Sequence, residues 1–410
     1  MFRFIFITLP LLFFNLVRLF LFVLCLFPGF IRFGWYYFIA SDRVSLPYDS
    51  KSARQRVDVY RACTHNNGRQ QQEQLDGSDS NFNMLVEELL NNSPVVIFCT
   101  GGAWMIGYKM WGALLARALT AAGMVVVIPD MRNYPLVDIP EMVDDIDLAI
   151  GWTKTNIAQY GGDPENIVVV GQSAGGHVAC MAIFRNIQRK IAREIDVVAT
   201  EGLGVFVPDD DDDDDERNTN ISSASRILED DALNDAWSAS DLKGFAAISS
   251  PMTLGSVITH SFRRHGLDDA MVERMFGFKK DEYDPCLTLH NFQSVDDKEK
   301  FLKDLPPISI YHGTKDKTVP YEASDAFYEE LRRAMLDESS ISFVSYVGWS
   351  HTDPILEAPM DGDHRLHRDL LNDVNKWTTS PCLIWPNDSK VNDRLCPHFM
   401  VKLSRFVNPF

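Results

Sequence analysis

Positive charge is scarce in this sequence. Lysine and arginine number 39 against 57 aspartates and glutamates, for a formal net charge of −18. Eight of the negatives stand together at 209–216, and the remainder of the chain still carries about −10. A chain so acidic lacks the basic stripe that nucleic acid requires, and nucleic acid is excluded as a partner. Cysteine is scarce as well. The seven cysteines, at 25, 63, 99, 180, 286, 382 and 396, lie far apart without a C-x-x-C. That spacing excludes a disulfide framework and a structural zinc site, and points to a reducing compartment. N-x-S/T sequons occur at Asn91, Asn220 and Asn387, as consistent with chance as with secretion. Internal repeats are missing too, which excludes a solenoid or propeller.

Apolar residues are plentiful, at 46% of 410 residues, enough for one large α/β domain or two ordinary ones. They crowd the N-terminus. Residues 2–40 hold 11 of the 26 phenylalanines, and 4–27 would run about 36 Å as a helix, longer than the roughly 30 Å hydrocarbon core of a bilayer. Arg18 interrupts the run at a cost of about 2.5–3.5 kcal/mol at a bilayer centre, and Pro10 weakens it, so a span, a shallow hairpin and an interfacial anchor all remain open. The apolar run is too long for a signal peptide and lacks a small-residue cleavage site. Arg32, Arg43, Lys51, Arg54 and Arg56 follow the segment and only Arg3 precedes it, which places the large domain in the cytosol.

Residues 1–40 are therefore expected to be a membrane anchor, and 41–93 a polar linker carrying a first strand, "RVDVY" (56–60). A catalytic domain would follow at 94–377. Its short apolar runs "VVIFC" (95–99), "MVVVIP" (124–129), "IVVV" (167–170), "GFAAIS" (244–249), "ISIYH" (308–312) and "ISFVSY" (341–346) alternate with helical patterns. These include 139–160 and 177 to about 193. The fold class is α/β, a mainly parallel sheet with helices on both faces. Residues 199–240, around the acidic run, are expected to form a surface insertion, and 252–303 a lid. The tail 378–410 has too many helix breakers to assign.

In "IVVVGQSAGGHVA" (167–179) Ser173 stands between Gly171 and Gly175, after a buried strand and before an apolar helix. That is the strand–turn–helix context of a nucleophile elbow, which exposes a serine hydroxyl at the strand end. A hydroxyl needs a base to take its proton and a third group to orient the base. Asp316 in "ISIYHGTKDKTVP" and His351 in "ISFVSYVGWSHTDPI" follow in the order acid then histidine, each in a loop after a strand. Gly101, Gly102 and Ala103 in "FCTGGAWMIG", with Ala174, offer backbone N–H groups for an oxyanion, and Gln172 adjoins them. His177 precedes the acid and is read as a packing residue, His312 as a support for the Asp316 loop, and Asp144, Asp145 and Asp147 as a helix face without a metal.

Together "TGGAWMIGYKMWG", "YGGDPENIVVVGQSAGGHVA", "HGTKDKTVP" and "SHTD" resemble the isoprenylcysteine α-carbonyl methylesterases of the α/β-hydrolase superfamily, over about 56–353. Thr100 stands where many lipase-like esterases carry a histidine, again as in the methylesterase branch. The resemblance implies hydrolysis of the C-terminal methyl ester of a prenylated cysteine, on a small molecule or a protein. It further implies the triad Ser173, Asp316 and His351, no metal or other cofactor, and an endoplasmic reticulum or Golgi membrane. A general membrane-bound carboxylesterase or lipid deacylase would use the same residues. A catalytically silent binding module usually lacks one of them.

Overall fold

The computed structural model describes residues 9–62, 92–202, 236–264, 266–292, 295–334, 338–379, 383–386 and 394–410. The acidic run 209–216, most of the expected insertion and the asparagines of the three sequons lie outside the described residues.

Eight strands are described: β1 (Arg43–Pro47), β2 (Arg56–Tyr60), β3 (Ser93–Cys99), β4 (Val125–Asp130), β5 (Gly162–Gln172), β6 (Leu242–Ile248), β7 (Ile308–Gly313) and β8 (Ile341–Tyr346). They form one sheet in the order β1-β2-β4-β3-β5-β6-β7-β8. β1 and β2 run antiparallel at one edge, and β4 onward is parallel. The central strands read as continuous Val/Ile runs because both faces are covered. Val95, Ile97, Val127 and Val169 join one buried cluster, and their neighbours Val96, Phe98, Val126 and Val168 join another on the opposite face.

Twelve α-helices surround the sheet among the described residues: α1 (Leu9–Trp35), α2 (Ala113–Ala121), α3 (Ile139–Asn156), α4 (Ala174–Gly202), α5 (Ser256–Arg264), α6 (Asp269–Met275), α7 (Pro285–His290), α8 (Val295–Asp304), α9 (Tyr321–Ala334), α10 (Glu357–Met360), α11 (Arg365–Trp377) and α12 (His398–Val407). α3 shows how local sequence sets a boundary. The Asp138 side chain accepts the Glu141 N–H and the Glu141 side chain accepts the Asp138 N–H, both at 3.1 Å, with Pro140 in the first turn. Such a capping box is worth about 1 kcal/mol. α3 and α4 cover one face with Ile146, Ile150, Val178 and Ile183, and α1, α2 and α11 cover the other with Leu26, Leu115 and Leu370.

Four features differ from expectation. The stretch read as a linker contributes β1, which pairs with β2 across all five residues. The helix after Ser173 runs on to Gly202, into the expected insertion. The unassigned tail forms α12. Finally, α1 lies against the catalytic domain rather than apart from it: Phe22, Cys25, Leu26 and Phe33 are buried on one face, while Phe14, Phe20, Phe27, Ile31 and Trp35 are exposed on the other. A Cβ at Gly29 would come within 2.6 Å of Met360 Sδ, so the helix docks through a close approach there. Residues 252–303 hold α5 to α8, a helical cap at the carboxyl ends of the central strands.

Candidate active site

β5 ends at Gln172 and α4 begins at Ala174, leaving Ser173 alone at the turn with φ +53°. A non-glycine residue pays of order 1–3 kcal/mol to sit in that region. The surroundings impose it. The Ser173 N–H donates to Ile248 O at 2.9 Å, and the Ser173 carbonyl accepts from Gly176 at 3.0 Å. The flanking glycines are required sterically: a Cβ at Gly171 would stand 2.3 Å from Gly176 Cα, and one at Gly175 2.3 Å from Cys99 O.

The loops after β7 and β8 converge on this turn. His351 Nε2 lies 2.9 Å from Ser173 Oγ, and His351 Nδ1 lies 2.8 Å from Asp316 Oδ2. An ionised carboxylate only accepts, so Nδ1 is assigned the proton and Nε2 is left to accept from the serine hydroxyl. Asp316 is held in turn, because its Oδ1 accepts the Thr318 and Val319 N–H groups at 2.9 and 2.8 Å. His312 Nε2 reaches Asp316 Oδ2 at 3.3 Å and Val319 O at 3.0 Å, with Nδ1 2.7 Å from Ser324 Oγ. Burial alone would raise the Asp316 carboxyl. His351 and His312 outweigh it and hold the group well below the usual carboxylate range.

The loop after β3 faces the same point. A Cβ at Gly101 would fall 2.2 Å from Gln172 Oε1 and 2.8 Å from Ser173 Cβ. Gly102, Ala103 and Trp104 all have positive φ, at +134°, +50° and +60°. This strained run is fastened by Asn133, whose Nδ2 donates to Met105 O at 3.0 Å and Gly107 O at 2.9 Å, and by Tyr134 N–H to Trp104 O at 2.9 Å. Asn133 was not foreseen; its only signal is its place just past β4.

A pocket of about 260 Å³ opens at Ser173, lined by Ala103, Ala174, Trp104, Phe262, Leu267 and Phe410 among others. Ser173, Asp316 and His351 are thus brought into one hydrogen-bonded chain, with Ala103 and Ala174 lining the same pocket and Gly101 close against Ser173, while Gly102 packs against Gly107. Gln172 is buried, its Nε2 3.5 Å from His351 Nε2. A wider polar cleft of about 490 Å³, between Arg185, Tyr283 and Asn291, contains none of these residues.

His177 is fully buried and packs edge-on against Trp104 and Phe276, with Nε2 2.8 Å from Tyr283 O. Burial pushes it down to about 4, against a weaker opposing effect of that hydrogen bond. Its unfolded value is higher, so the unfolded chain takes up the proton first. The stability due to a neutral His177 is complete above about pH 6.5 and is lost as pH falls towards 4, by roughly 3 kcal/mol at most. Urea unfolding of His177→Gln across that window should show a flatter acid slope than wild type. Of Asp144, Asp145 and Asp147, read as one helix face, Asp144 and Asp147 share a side and Asp145 turns away. Asp145 is paired with Arg132 at 2.8 Å, whereas Asp144 and Asp147 share Arg185, at 2.6 and 3.7 Å, and Asp147 also binds Arg189 at 2.6 Å, so the trio divides between two ion-pair groups.

The BD-FAE family model matches residues 84–245. A probable isoprenylcysteine alpha-carbonyl methylesterase of Arabidopsis thaliana is 29% identical over 94% of this chain and 66% of its own length. An isoprenylcysteine alpha-carbonyl methylesterase of the same plant is 27% identical over 97% of this chain and 77% of its own. The chain thus spans about two thirds of the first relative and somewhat more of the second. Among solved structures, esterase B from Lactobacillus rhamnosis shares the fold with a TM-score of 0.52 at 15% identity, covering 81% of this chain and 85% of that one. Strand order, the strand–turn–helix at Ser173 and these likenesses agree: the chain has the α/β-hydrolase fold, is a carboxylic ester hydrolase, and is similar along nearly its whole length to the isoprenylcysteine α-carbonyl methylesterases.

Proposed function

We propose that the protein is a membrane-attached serine esterase that removes the methyl ester from the C-terminal carboxyl of a prenylated cysteine. The observation that carries the reading is His351 standing between Ser173 Oγ and Asp316 at 2.9 and 2.8 Å, at the mouth of an apolar pocket. Ser173 attacks the ester carbonyl while His351 Nε2 takes its proton, and Asp316 holds the resulting imidazolium. The N–H groups of Gly102, Ala103 and Ala174 receive the oxyanion, with Gly101 and Gln172 shaping its site. His351 then protonates the departing methanol. It next draws a proton from water, which attacks the acyl-enzyme and releases the free carboxylate and Ser173. The three side chains and the backbone donors supply every proton transfer and charge contact in this sequence.

The pocket, at about 260 Å³, falls just below the roughly 300–1,000 Å³ of sites that enclose drug-sized ligands. It suits the cysteine ester and the first part of its thioether substituent. Phe410 closes it on the side of α1, its ring centroid 6.1 Å from that of Phe22. The remainder of a prenyl chain would leave past Phe410 towards α1, whose opposite, exposed apolar face would meet the membrane. A substrate tethered to a bilayer by its prenyl group needs an enzyme held there too. A cytosolic orientation follows from the basic residues after α1, and the relatives' names supply the substrate class.

The test is methanol release in detergent from farnesylcysteine methyl ester, compared with a short-chain nitrophenyl ester. A kcat/KM at least tenfold higher for the prenylated substrate supports the proposal. Equal or faster turnover of the small ester moves the protein to the general carboxylesterases.

A further inference from the structure

Arg18 has no use in an apolar helix on the sequence alone. In the fold its Nε donates to Val407 O at 3.2 Å and its Nη2 to Asn408 O. Those carbonyls end α12, which packs along α1, and a guanidinium there satisfies two carbonyls that the helix itself cannot. Asn408, thus held, is 4% exposed and turns its side chain inward. Its Nδ2 lies 3.0 Å from Ser350 Oγ, 3.0 Å from Thr352 Oγ1 and 2.6 Å from Glu357 Oε1. Ser350 and Thr352 are the two neighbours of His351, so one amide brackets the histidine on both sides.

The bracket is reinforced. Ser350 Oγ donates to Asp353 Oδ2 at 2.9 Å and the Ser350 N–H to the same oxygen at 2.8 Å, while Arg405 of α12 binds Asp353 Oδ1 at 2.7 Å. Thr352 Oγ1 donates to Glu357 Oε1 at 2.9 Å. With their own protons engaged, the two hydroxyls can only accept from Asn408, whose two N–H groups are shared among them and Glu357 Oε1. The Asn408 Oδ1 takes the Phe410 N–H at 2.6 Å, which sets Phe410 in the pocket wall.

We propose that Asn408 is a positioning residue for His351, and that Arg18 of the N-terminal apolar helix keeps Asn408 in place. The inference rests on His351 being the base of the proposed reaction. It makes the anchor helix, the last turn of the chain and the histidine loop one connected unit, so that α1 serves the chemistry as well as attachment. Misplacing a general base by about 1 Å costs up to about a hundredfold in rate, and the loss falls on turnover rather than on binding.

Full-length Asn408→Ala, Arg18→Met and Arg18→Lys, with Ser173→Ala and His351→Ala as references, would be assayed in detergent on the small ester. Rates of wild type and of the Asn408 and Arg18 variants would be expressed per site titrated to completion by a fluorophosphonate, so that only competent molecules count, and rates of the two references per mole of folded protein. The expected result is a kcat lower by ten- to a hundredfold in Asn408→Ala and Arg18→Met, with KM within about twofold of wild type. Arg18→Lys, which still donates to one carbonyl, should recover much of the loss. Wild-type kcat per titrated site in Asn408→Ala and Arg18→Met, beside an inactive His351→Ala, would overturn the positioning role and leave the triad standing. A loss confined to KM would overturn it as well. An active His351→Ala would instead remove the catalytic reading on which the inference rests.

Discussion

Ser173→Ala should lower kcat by four to six orders of magnitude and leave the protein folded. The hydroxyl is the only group in the arrangement that can form the acyl-enzyme, and loss of a triad nucleophile elsewhere costs on the order of 10⁶ in turnover. What is left comes from the backbone donors and from substrate binding. Stability should change little or rise slightly. Alanine and serine are equally strained at φ +53°, and the lost hydrogen bond is to a histidine that keeps Asp316 as its partner at 2.8 Å. Steady-state rates together with urea unfolding of the same preparation check both halves. Turnover within a hundredfold of wild type would mean that another nucleophile or a directly activated water does the work.

Asp316→Asn should lower kcat by about 10⁴ while leaving the loop geometry nearly intact. The backbone N–H groups of Thr318 and Val319 can still donate to the amide oxygen at the Oδ1 position. The oxygen that faced His351 Nδ1 becomes an NH₂ group, however. It can only donate, so it favours the tautomer with the proton on Nε2, the wrong one for accepting from Ser173. His312 makes the mismatch worse, since its Nε2 also points at that position from 3.3 Å. Because Asp316 is held well below the usual carboxylate range, it stays ionised through any workable assay. Loss of wild-type activity on acidification therefore reports protonation at another group, and the acid limb should keep its position when Asp316 contacts other than His351 are weakened. Stopped-flow rates of Asp316→Asn from pH 5 to 9 would show a uniform loss if the tautomer is the cause.

The parts of the molecule that were legible in the sequence share a physical property: each is fixed by neighbours close along the chain. The Val/Ile runs of β3, β4 and β5 mark strands buried on both faces, and the Gly–Ser–Gly turn follows from a strand running straight into a helix. The order of acid and histidine follows from loops that must lie at one end of a parallel sheet. What was not legible depends on contacts between remote segments. Asn408 is one short amide in a tail full of helix breakers, and nothing local says that it meets Ser350 and Thr352. Arg18 reads as a cost because its acceptors lie 389 and 390 residues further on. α1 is apolar on every side, so no periodicity could separate the face buried against Met360 from the face left exposed. β1 escaped notice because it is an edge strand of five partly exposed residues, with little hydrophobic pattern to show. Asn133 holds a strained loop whose strain appears only in the φ values of Ala103 and Trp104.

Covalent labelling with a fluorophosphonate followed by peptide mapping tests the identity of the nucleophile most directly. The expected result is a single adduct on Ser173, formed rapidly in wild type, far more slowly in His351→Ala and not at all in Ser173→Ala. An adduct on any other residue, or labelling that persists in Ser173→Ala, would contradict it.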